Sequence, residues 1–371
     1  MINTERLVQE FCELVSIDST SFHERQMTDV LKKKMEELHM TVFEDQANHF
    51  YQSEAGNLYG FLKGNIPGKP LLFSSHMDTV EPGIGKKALI HEDGTIVSKG
   101  ETVLGADDVA GIVAILESIR VLEENQIPHR DIEVLFPIAE EVYIQGSRVF
   151  DFEKIQSQEA YVLDISGPIG TASLQEPTLI SFQIEVIGKS SHAGFAPEEG
   201  IHSIYIASQA IGQIKQGKVD EETTINIGKI QGGVATNIVP DRTIIEGEIR
   251  SYTHEKALST LQNIIDIFET TTKLYQATYK ETHIVHLHAY KVLENEKVVQ
   301  RFLNVCQALD IPARLTKTFG GSDNNSFMSH GIKGIVLACG MNNVHTTKEY
   351  TTIHDLEKST QIIFHLMKSE E

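Results

Sequence analysis

The hydrophobic pattern of the chain changes near Pro177 and changes back near Lys291. Before the first change, short apolar runs such as residues 70–75 and 132–138 alternate with stretches of helical periodicity. After Lys291 the same pattern resumes, with an apolar run over residues 334–339. Strands that alternate with helices are typical of an α/β domain around a largely buried sheet. The simplest interpretation is one α/β domain that a second domain interrupts.

The interrupting segment has a different pattern. Residues 181–187 alternate apolar and polar side chains, as a half-exposed strand does. The strands and helices that follow include a helix from about residue 199 to 215 and a last strand near residues 282–290. Together they give the order β-α-β-β-α-β, which is the ferredoxin-like arrangement. We therefore predict a mixed, mostly parallel sheet flanked by helices in residues 1–176 and 291–371. Residues 177–290 are predicted to form an inserted ferredoxin-like α+β domain.

Composition limits the partners and the compartment. The formal net charge of −20 argues against nucleic acid or an anionic membrane, because lysine and arginine would have to neutralise phosphates. Cys12, Cys306 and Cys339 form neither a C-x-x-C pair nor a disulfide framework, and three free thiols suit a reducing compartment. The N-terminus lacks the order of a signal peptide, and no apolar run is long enough to span a bilayer. We expect a cytoplasmic protein.

Acidic and imidazole side chains follow the ends of several predicted strands. In open α/β sheets, ligands bind beyond the carboxyl ends of the strands. Concentrating negative charge at one place is unfavourable unless a cation is present. Taken singly, each residue has an ordinary explanation, such as a helix N-cap at Asp107 or a solvated Glu pair. Their conjunction predicts a cation site that includes His76, Asp107, Glu141, Asp164 and His345.

The predicted ligands indicate which cation binds. Imidazole and carboxylate ligands without thiolates suit Zn²⁺, Mn²⁺ or Co²⁺ better than Ca²⁺ or Mg²⁺. Five candidate ligands exceed the three that one catalytic zinc takes. Two ions roughly 3.5–4 Å apart that share one carboxylate would use all five. Glu140, next to the ligand Glu141, is then free to act as a general base.

Several short motifs occur in the order found in one known family. They are His76-Met77-Asp78-Thr79-Val80, Gly105-Ala106-Asp107-Asp108, Ala139-Glu140-Glu141, Ser191-His192-Ala193-Gly194, Asn237-Ile238-Val239-Pro240-Asp241, Gly320-Gly321-Ser322-Asp323 with Asn325, and His345-Thr346-Thr347 with Glu349. With these motifs the chain resembles the zinc-dependent exopeptidase family of peptidase T, glutamate carboxypeptidase and the aminoacylases. The likeness covers nearly the whole chain and is strongest to the peptidase T-like branch.

The resemblance implies a role for each residue of the predicted centre. His76 and Asp164 would bind one metal ion, Glu141 and His345 would bind the other, and Asp107 would bridge the two. Asp78 would lie behind His76 and fix its tautomer and orientation. Glu140 would take a proton from the attacking water and later pass it to the leaving amine.

The resemblance also implies substrate contacts outside the metal centre. The inserted domain would serve as a lid and as a dimerisation domain. His192 would contact the developing oxyanion, often from the partner subunit of a homodimer. Asn237 and Arg250 would hold amide or carboxylate groups of the substrate. Gly321, Ser322 and Asn325 would belong to a loop that cradles the substrate near the metals.

The function that these features favour is hydrolysis of amide bonds in short peptides, by an aminopeptidase that acts on tripeptides. An N-acyl-amino-acid hydrolase or a carboxypeptidase of the same family is the alternative, because the same metal centre serves all three. A non-catalytic metal-binding or structural homologue is a further alternative from a different class. The presence of Glu140 argues against it, because a metal scaffold has no use for a base.

Overall fold

The structure is a computed structural model and describes residues 1–368. It divides into two compact units. The first comprises Met1–Leu174 together with the segment that starts at Lys291, and the second is Gln175–Tyr290. Among the described residues, no helix combines the length and the apolar character that crossing a membrane requires.

The helices and strands are numbered in chain order. The helices are α1 (Thr4–Val15), α2 (Arg25–Glu37), α3 (Ala47–Tyr51), α4 (Ala106–Glu124), α5 (Gln145–Arg148), α6 (Ser203–Ile211), α7 (His254–Leu274), α8 (Lys297–Ala308), α9 (Asn324–Ser329) and α10 (Ile353–Met367). The strands are β1 (Thr41–Glu44), β2 (Leu58–Leu62), β3 (Leu71–Ser74), β4 (Ala88–Ile90), β5 (Thr95–Ser98), β6 (Ile132–Phe136), β7 (Glu159–Ile165), β8 (Thr171–Ser173), β9 (Gln175–Glu176), β10 (Thr178–Ile187), β11 (Ser191–His192), β12 (Gly217–Lys218), β13 (Thr223–Gly232), β14 (Ile238–Val239), β15 (Arg242–Ser251), β16 (Thr278–Leu287), β17 (Tyr290–Lys291), β18 (Arg314–Thr316), β19 (Lys333–Ala338) and β20 (Tyr350–Thr352).

The first unit is built on an eight-stranded sheet with the order β1-β2-β6-β3-β7-β19-β8-β18. Its centre is parallel, since β3 pairs in parallel with β6 and β7, and β7 pairs in parallel with β19. The outer pairs β1–β2, β2–β6 and β8–β19 are antiparallel. All residues of β3 and β6 are buried, as expected for strands covered on both faces. The predicted mixed, mostly parallel α/β sheet is confirmed.

This topology brings four loop segments to one place. Strands β6, β3, β7 and β19 are adjacent and parallel, so their carboxyl ends meet at the same edge of the sheet. Helix α4 supports that edge; most of its residues are buried, and it packs against α1, α10 and β7. A helix that is apolar on nearly all sides belongs in a core, which gives its first turn a rigid position.

The second unit contains a sheet with the order β12-β13-β15-β10-β16. Apart from the short strands β11, β12 and β14, the strands and helices follow one another as β10, α6, β13, β15, α7 and β16, and every strand pair of the sheet is antiparallel. Helices α6 and α7 pack on one another and on the sheet, around buried side chains such as Phe182, Ile245 and Phe268. This is the predicted ferredoxin-like arrangement, and it is confirmed.

Two predicted element boundaries in this unit are wrong. The helix predicted from residue 199 begins at Ser203, because Pro197–Glu199 forms a separate 3₁₀ turn and Gly200 is extended. The ring of His202 then caps the helix by accepting a hydrogen bond from the Tyr205 amide. The strand predicted over residues 282–290 runs over Thr278–Leu287, since its pairing with β10 starts at Thr278 opposite Ile187.

Candidate metal centre

The predicted metal ligands lie at the carboxyl edge of the main sheet. His76 follows β3, Asp164 lies at the end of β7, and His345 follows β19. Glu141 belongs to the loop after β6, and Asp107 lies at the start of α4. The backbone of Asp107 and Asp108 is not yet helical, and Gly105 precedes them in a left-handed conformation with φ of 82°. The buried helix therefore carries its two acidic residues on a turn that opens toward the sheet edge.

Asp107 connects the two histidines. Its Oδ1 lies 3.1 Å from Nε2 of His76, and its Oδ2 lies 3.2 Å from Nε2 of His345. On the His345 side, the same Nε2 is 3.0 Å from Oε2 of Glu141. On the His76 side, Nε2 is 4.0 Å from Oδ1 of Asp164. One carboxylate thus divides the cluster into two halves, each with one imidazole and one further carboxylate.

The ligand atoms are close enough to surround cations. Two overlapping groups each have all their candidate ligand atoms within 4.8 Å of one another. The first joins His76, Glu140 and Asp164, and the second joins His76, Asp107 and Glu141. His345 is half exposed at 52%, whereas His76 is almost fully buried. The cluster is therefore open to solvent on the His345 side.

Asp78 lies behind His76 and also holds the loop after β6. Its backbone carbonyl is 2.9 Å from Nδ1 of His76, with its Oδ1 at 3.4 Å from the same nitrogen. The carboxylate accepts hydrogen bonds from the backbone amides of Glu140 (2.9 Å) and Glu141 (3.2 Å). A third hydrogen bond comes from the Ser21 hydroxyl at 2.6 Å. One side chain therefore links the His76 segment to the loop that carries Glu140 and Glu141.

The charges of the cluster perturb the pKa values of its members. Burial alone would raise the pKa of Asp107, but hydrogen bonds from His345 and His76 outweigh it and hold this pKa below its usual range. Hydrogen bonds to Asp107 and Glu141 raise the pKa of His345 to about 10. Burial, followed by the repulsion of neighbouring carboxylates, raises the pKa of Glu140 and Asp164. Glu140, Asp164 and His345 thus hold protons more strongly than usual, whereas Asp107, which lies between the two histidines, holds its proton less strongly.

The donor atoms fit two divalent metal ions. Each half offers an imidazole nitrogen and carboxylate oxygens, which is the ligand chemistry of Zn²⁺ and related ions. Asp107 has one oxygen directed to each half, as a bridging carboxylate requires. The buried Oε1 of Glu141 has no hydrogen-bond partner among the described residues, and a metal ion would satisfy it. Bound cations would also neutralise the excess charge.

The sequence did not assign a role to three buried acidic residues around the ligands. Glu349 accepts hydrogen bonds from the amides of Gly105 (2.8 Å) and Asp107 (2.9 Å) and so holds the turn that carries the bridging residue. Asp108 accepts hydrogen bonds from the Ser75 hydroxyl and the His76 amide. Glu24 accepts one from the Ala139 amide. Glu349 belongs to the motif that begins at His345, and Asp108 belongs to the motif that begins at Gly105. Only the fold shows which groups these two side chains contact.

The loop predicted to cradle substrate is mostly buried. Ser322 is fully buried, and Asn325 is 2% exposed at the start of α9, where its Oδ1 accepts a hydrogen bond from the Ser322 amide. Gly321 is half-buried. In this conformation Ser322 and Asn325 shape the loop from inside, and Gly321 is the one of the three with appreciable exposure.

The remaining predicted substrate contacts belong to the second unit. The exposed His192 and Asn237 are close together, because the Ala193 amide donates to the carbonyl of Asn237 and β11 pairs with β14. Nδ1 of His192 accepts hydrogen bonds from the amides of Gly194 and Phe195, so that Nε2 is the nitrogen that can donate to a ligand. Arg250 lies near the C-terminal end of β15, where its Nε donates a hydrogen bond to Glu248. It is roughly 26 Å along the strand from Arg242, at the start of β15.

The carboxyl edge of the α/β sheet carries histidines and carboxylates around a shared aspartate, and a ferredoxin-like unit is inserted in the chain. These two features define a class of metal-dependent hydrolases. The comparisons identify the family. A model of the M20 peptidase dimerisation domain matches residues 175–276, one of peptidase family M28 matches 57–208, and one of M42 glutamyl aminopeptidase matches 267–362.

Relatives of similar length match over nearly the whole chain. The uncharacterised protein YqjE of Bacillus subtilis is 38% identical over 98% of this chain and 98% of its own. A tripeptidase from Staphylococcus aureus is 37% identical with a TM-score of 0.96, covering 99% of this chain and 98% of that one. The aminopeptidase PepT of Bacillus cereus is 38% identical with a TM-score of 0.92, at the same coverage. Peptidase T of Escherichia coli is 25% identical over 97% of both chains. The chain belongs to the M20 family of metallopeptidases, and the predicted resemblance to the peptidase T-like branch is confirmed.

Proposed function

We propose that this protein is a di-metal aminopeptidase that removes the N-terminal residue of short peptides, tripeptides among them. The observation that carries the proposal is the position of Asp107, whose two carboxylate oxygens face His76 and His345 separately. The names of the similar proteins, a tripeptidase and the aminopeptidase PepT, support the substrate class.

The metal ligands in this proposal are divided between two ions. His76 and Asp164 would hold the first, Glu141 and His345 would hold the second, and Asp107 would lie between them as a shared ligand. Divalent ions bound there would lower the pKa of water and polarise the scissile carbonyl. We propose zinc, with Mn²⁺ or Co²⁺ as substitutes, because the donors are imidazoles and carboxylates without thiolates.

Glu140 is the general base in this proposal. Its carboxylate lies within 4.8 Å of the ligand atoms of His76 and Asp164, and its backbone amide is fixed by Asp78. Burial raises its pKa above the ordinary range of a glutamate, which makes its carboxylate a better proton acceptor than an exposed one. It takes a proton from the attacking water and delivers it to the nitrogen of the leaving amine.

We place the enzyme in the cytoplasm. Cys12, Cys306 and Cys339 are all free thiols in the structure, and two of them are buried. Free thiols persist in a reducing compartment.

The second unit supports a homodimer. Over residues 226–232, the outer edge of β13 pairs with no strand of the described chain, because β12 covers only Thr224 and Ile225. Exposed apolar side chains lie beside this edge: Ile230 on β13, Val234 after it, and Ile204 on α6, close to Gly232. An unpaired strand edge with apolar neighbours can pair with a second copy of itself. The match of this segment to a peptidase dimerisation domain agrees with that use.

Glu140→Gln tests the base. The amide keeps the shape of the side chain but cannot accept the proton, so kcat should fall by about 10²–10⁴-fold. The affinity for Zn²⁺, measured by calorimetric titration of metal-free protein, should fall by no more than about tenfold, since Glu140 lies beside the ligands but is not assigned as one. Glu153→Gln, an exposed change on the same unit, is the matched control and should leave both quantities unchanged. A Glu140→Gln enzyme that keeps more than a tenth of the wild-type kcat would exclude this assignment.

A peptide panel tests the substrate class. Di- and tripeptides with free ends, with an acetylated N-terminus or with an amidated C-terminus are assayed with each candidate metal, and the released residue is identified by mass spectrometry. An aminopeptidase should cleave the free and amidated tripeptides and release the N-terminal residue, but spare the acetylated ones. Preferential cleavage of the acetyl group would indicate the acyl-amino-acid hydrolase, and release from the C-terminus would indicate the carboxypeptidase.

Ile230→Lys tests the dimer. A charge on the open edge of β13 should oppose pairing with a second copy, so the mass measured by light scattering should fall from twice 41.4 kDa to 41.4 kDa. The matched control is Ile284→Lys, which adds the same charge to β16 at the other edge of the sheet, where Ile284 is similarly exposed. A wild-type monomer, or dissociation caused by Ile284→Lys alone, contradicts the proposed interface.

A further inference from the structure

The loop after β6 carries both the proposed base and a proposed ligand, yet the side chains that hold it come from elsewhere. Three successive backbone amides, those of Ala139, Glu140 and Glu141, donate to carboxylates. Asp78 accepts the second and third of these hydrogen bonds. Glu24 accepts the first, from the Ala139 amide, at 3.0 Å. Ala139 has a positive φ of 50°, so the loop turns sharply just before the two functional glutamates.

Glu24 lies 115 residues before this loop, at the N-terminal end of α2. Its side chain is fully buried. The same oxygen, Oε1, also accepts a hydrogen bond of 2.8 Å from the Phe22 amide. Phe22 has a positive φ of 73°, and the two amides therefore converge on one oxygen from two sharply turned segments. The other oxygen, Oε2, is buried and has no hydrogen-bond partner among the described residues.

A buried carboxylate in this place is unfavourable by itself. Asp78 is close enough for its charge to repel that of Glu24. An apolar side chain of similar size would avoid both this repulsion and the cost of burying a charge. An apolar side chain, however, cannot accept a hydrogen bond from the amide of Ala139. Glu24 and the ligand groups are also separate, since Glu24 belongs to neither group of candidate metal ligands. The hydrogen bonds that Oε1 accepts from Phe22 and Ala139 therefore explain its position, and the one from Ala139 connects it to the loop after β6.

We propose that Glu24 is a positioning residue of the hydrolytic site: its Oε1 fixes the amide of Ala139 and so sets the direction in which Glu140 and Glu141 leave the loop. Ser21 acts in the same segment, because its hydroxyl orients the Asp78 carboxylate that holds the next two amides. The segment from Ser21 to Glu24 thus fastens the loop after β6. The inference rests on the proposed function, in which Glu140 is the base and Glu141 a ligand.

A pair of substitutions separates the hydrogen bond from the charge. Glu24→Gln keeps an oxygen in the position of Oε1 and removes the charge. Glu24→Met has a similar length and no acceptor, so the amides of Phe22 and Ala139 lose their partner. Glu36→Met makes the same change at an exposed position of α2 and is the matched control.

The loop that loses its anchor should place Glu140 less accurately. For Glu24→Met we expect kcat to fall by about 10²-fold, as displacements near 1 Å do, while KM stays within about threefold because Glu24 does not touch the substrate. We expect the affinity of metal-free protein for Zn²⁺ to weaken by about tenfold, as for other changes behind metal ligands, measured by calorimetry. Glu24→Gln and Glu36→Met should stay within about threefold of wild type in all three quantities.

Circular dichroism melting shows whether each variant is folded at the assay temperature. If Glu24→Met does not fold, Glu24→Asp takes its place, because it keeps the charge but withdraws the carboxylate from Ala139 by one methylene, and it should show the same loss of kcat. Wild-type kcat and Zn²⁺ affinity in a folded Glu24→Met or Glu24→Asp protein would overturn the proposal, as would an equal loss in Glu24→Gln. If wild-type protein hydrolyses no peptide with any metal, the proposed function fails, and the Zn²⁺ titration still decides the role of Glu24.

Discussion

The carboxylate of Asp107 connects the chain segments that form the candidate metal centre. One of its oxygens meets His76 from the end of β3, and the other meets His345 from the loop after β19. Those two segments are more than 260 residues apart in the chain, and the parallel centre of the sheet is what brings their ends to one edge. Glu349 holds the Asp107 amide, and the apolar surface of α4 fixes the helix behind it. The fold therefore positions the metal-binding side chains mainly by fixing the turn that carries Asp107.

Around that turn the protein gathers more carboxylates than its own cations neutralise. Glu140, Glu141 and Asp164 all have raised pKa values, with burial as the largest cause and like charges adding to it. Such an arrangement is unfavourable in a protein that has no further use for it. Divalent ions would supply the missing positive charge, and the M20 family membership agrees with that use. Glu24 and Asp78, which accept hydrogen bonds from the backbone amides of the loop after β6, add to this negative charge.

Much of this could be predicted from the sequence, because the informative patterns are local. Buried strands such as β3 appear as short continuous apolar runs, and a functional residue directly after such a run must lie at the sheet edge. The ferredoxin-like order was visible as a change in periodicity. The roles of Glu24 and Glu349 could not be predicted, because their hydrogen bonds join residues 115 and 242 positions apart. The short strands β4, β5 and β20 were missed because three or four residues give no periodicity. Ser322 and Asn325 look accessible in a glycine-rich motif, but both are buried where the chain enters α9.

The central claim is that this cluster holds two metal ions with Asp107 between them. Anomalous diffraction from crystals grown with Zn²⁺, collected on both sides of the zinc absorption edge, tests it most directly. Two peaks per chain are expected, roughly 3.5–4 Å apart, one beside His76 and Asp164 and the other beside Glu141 and His345. A single peak, or peaks at other surface histidines with none at Asp107, would contradict it.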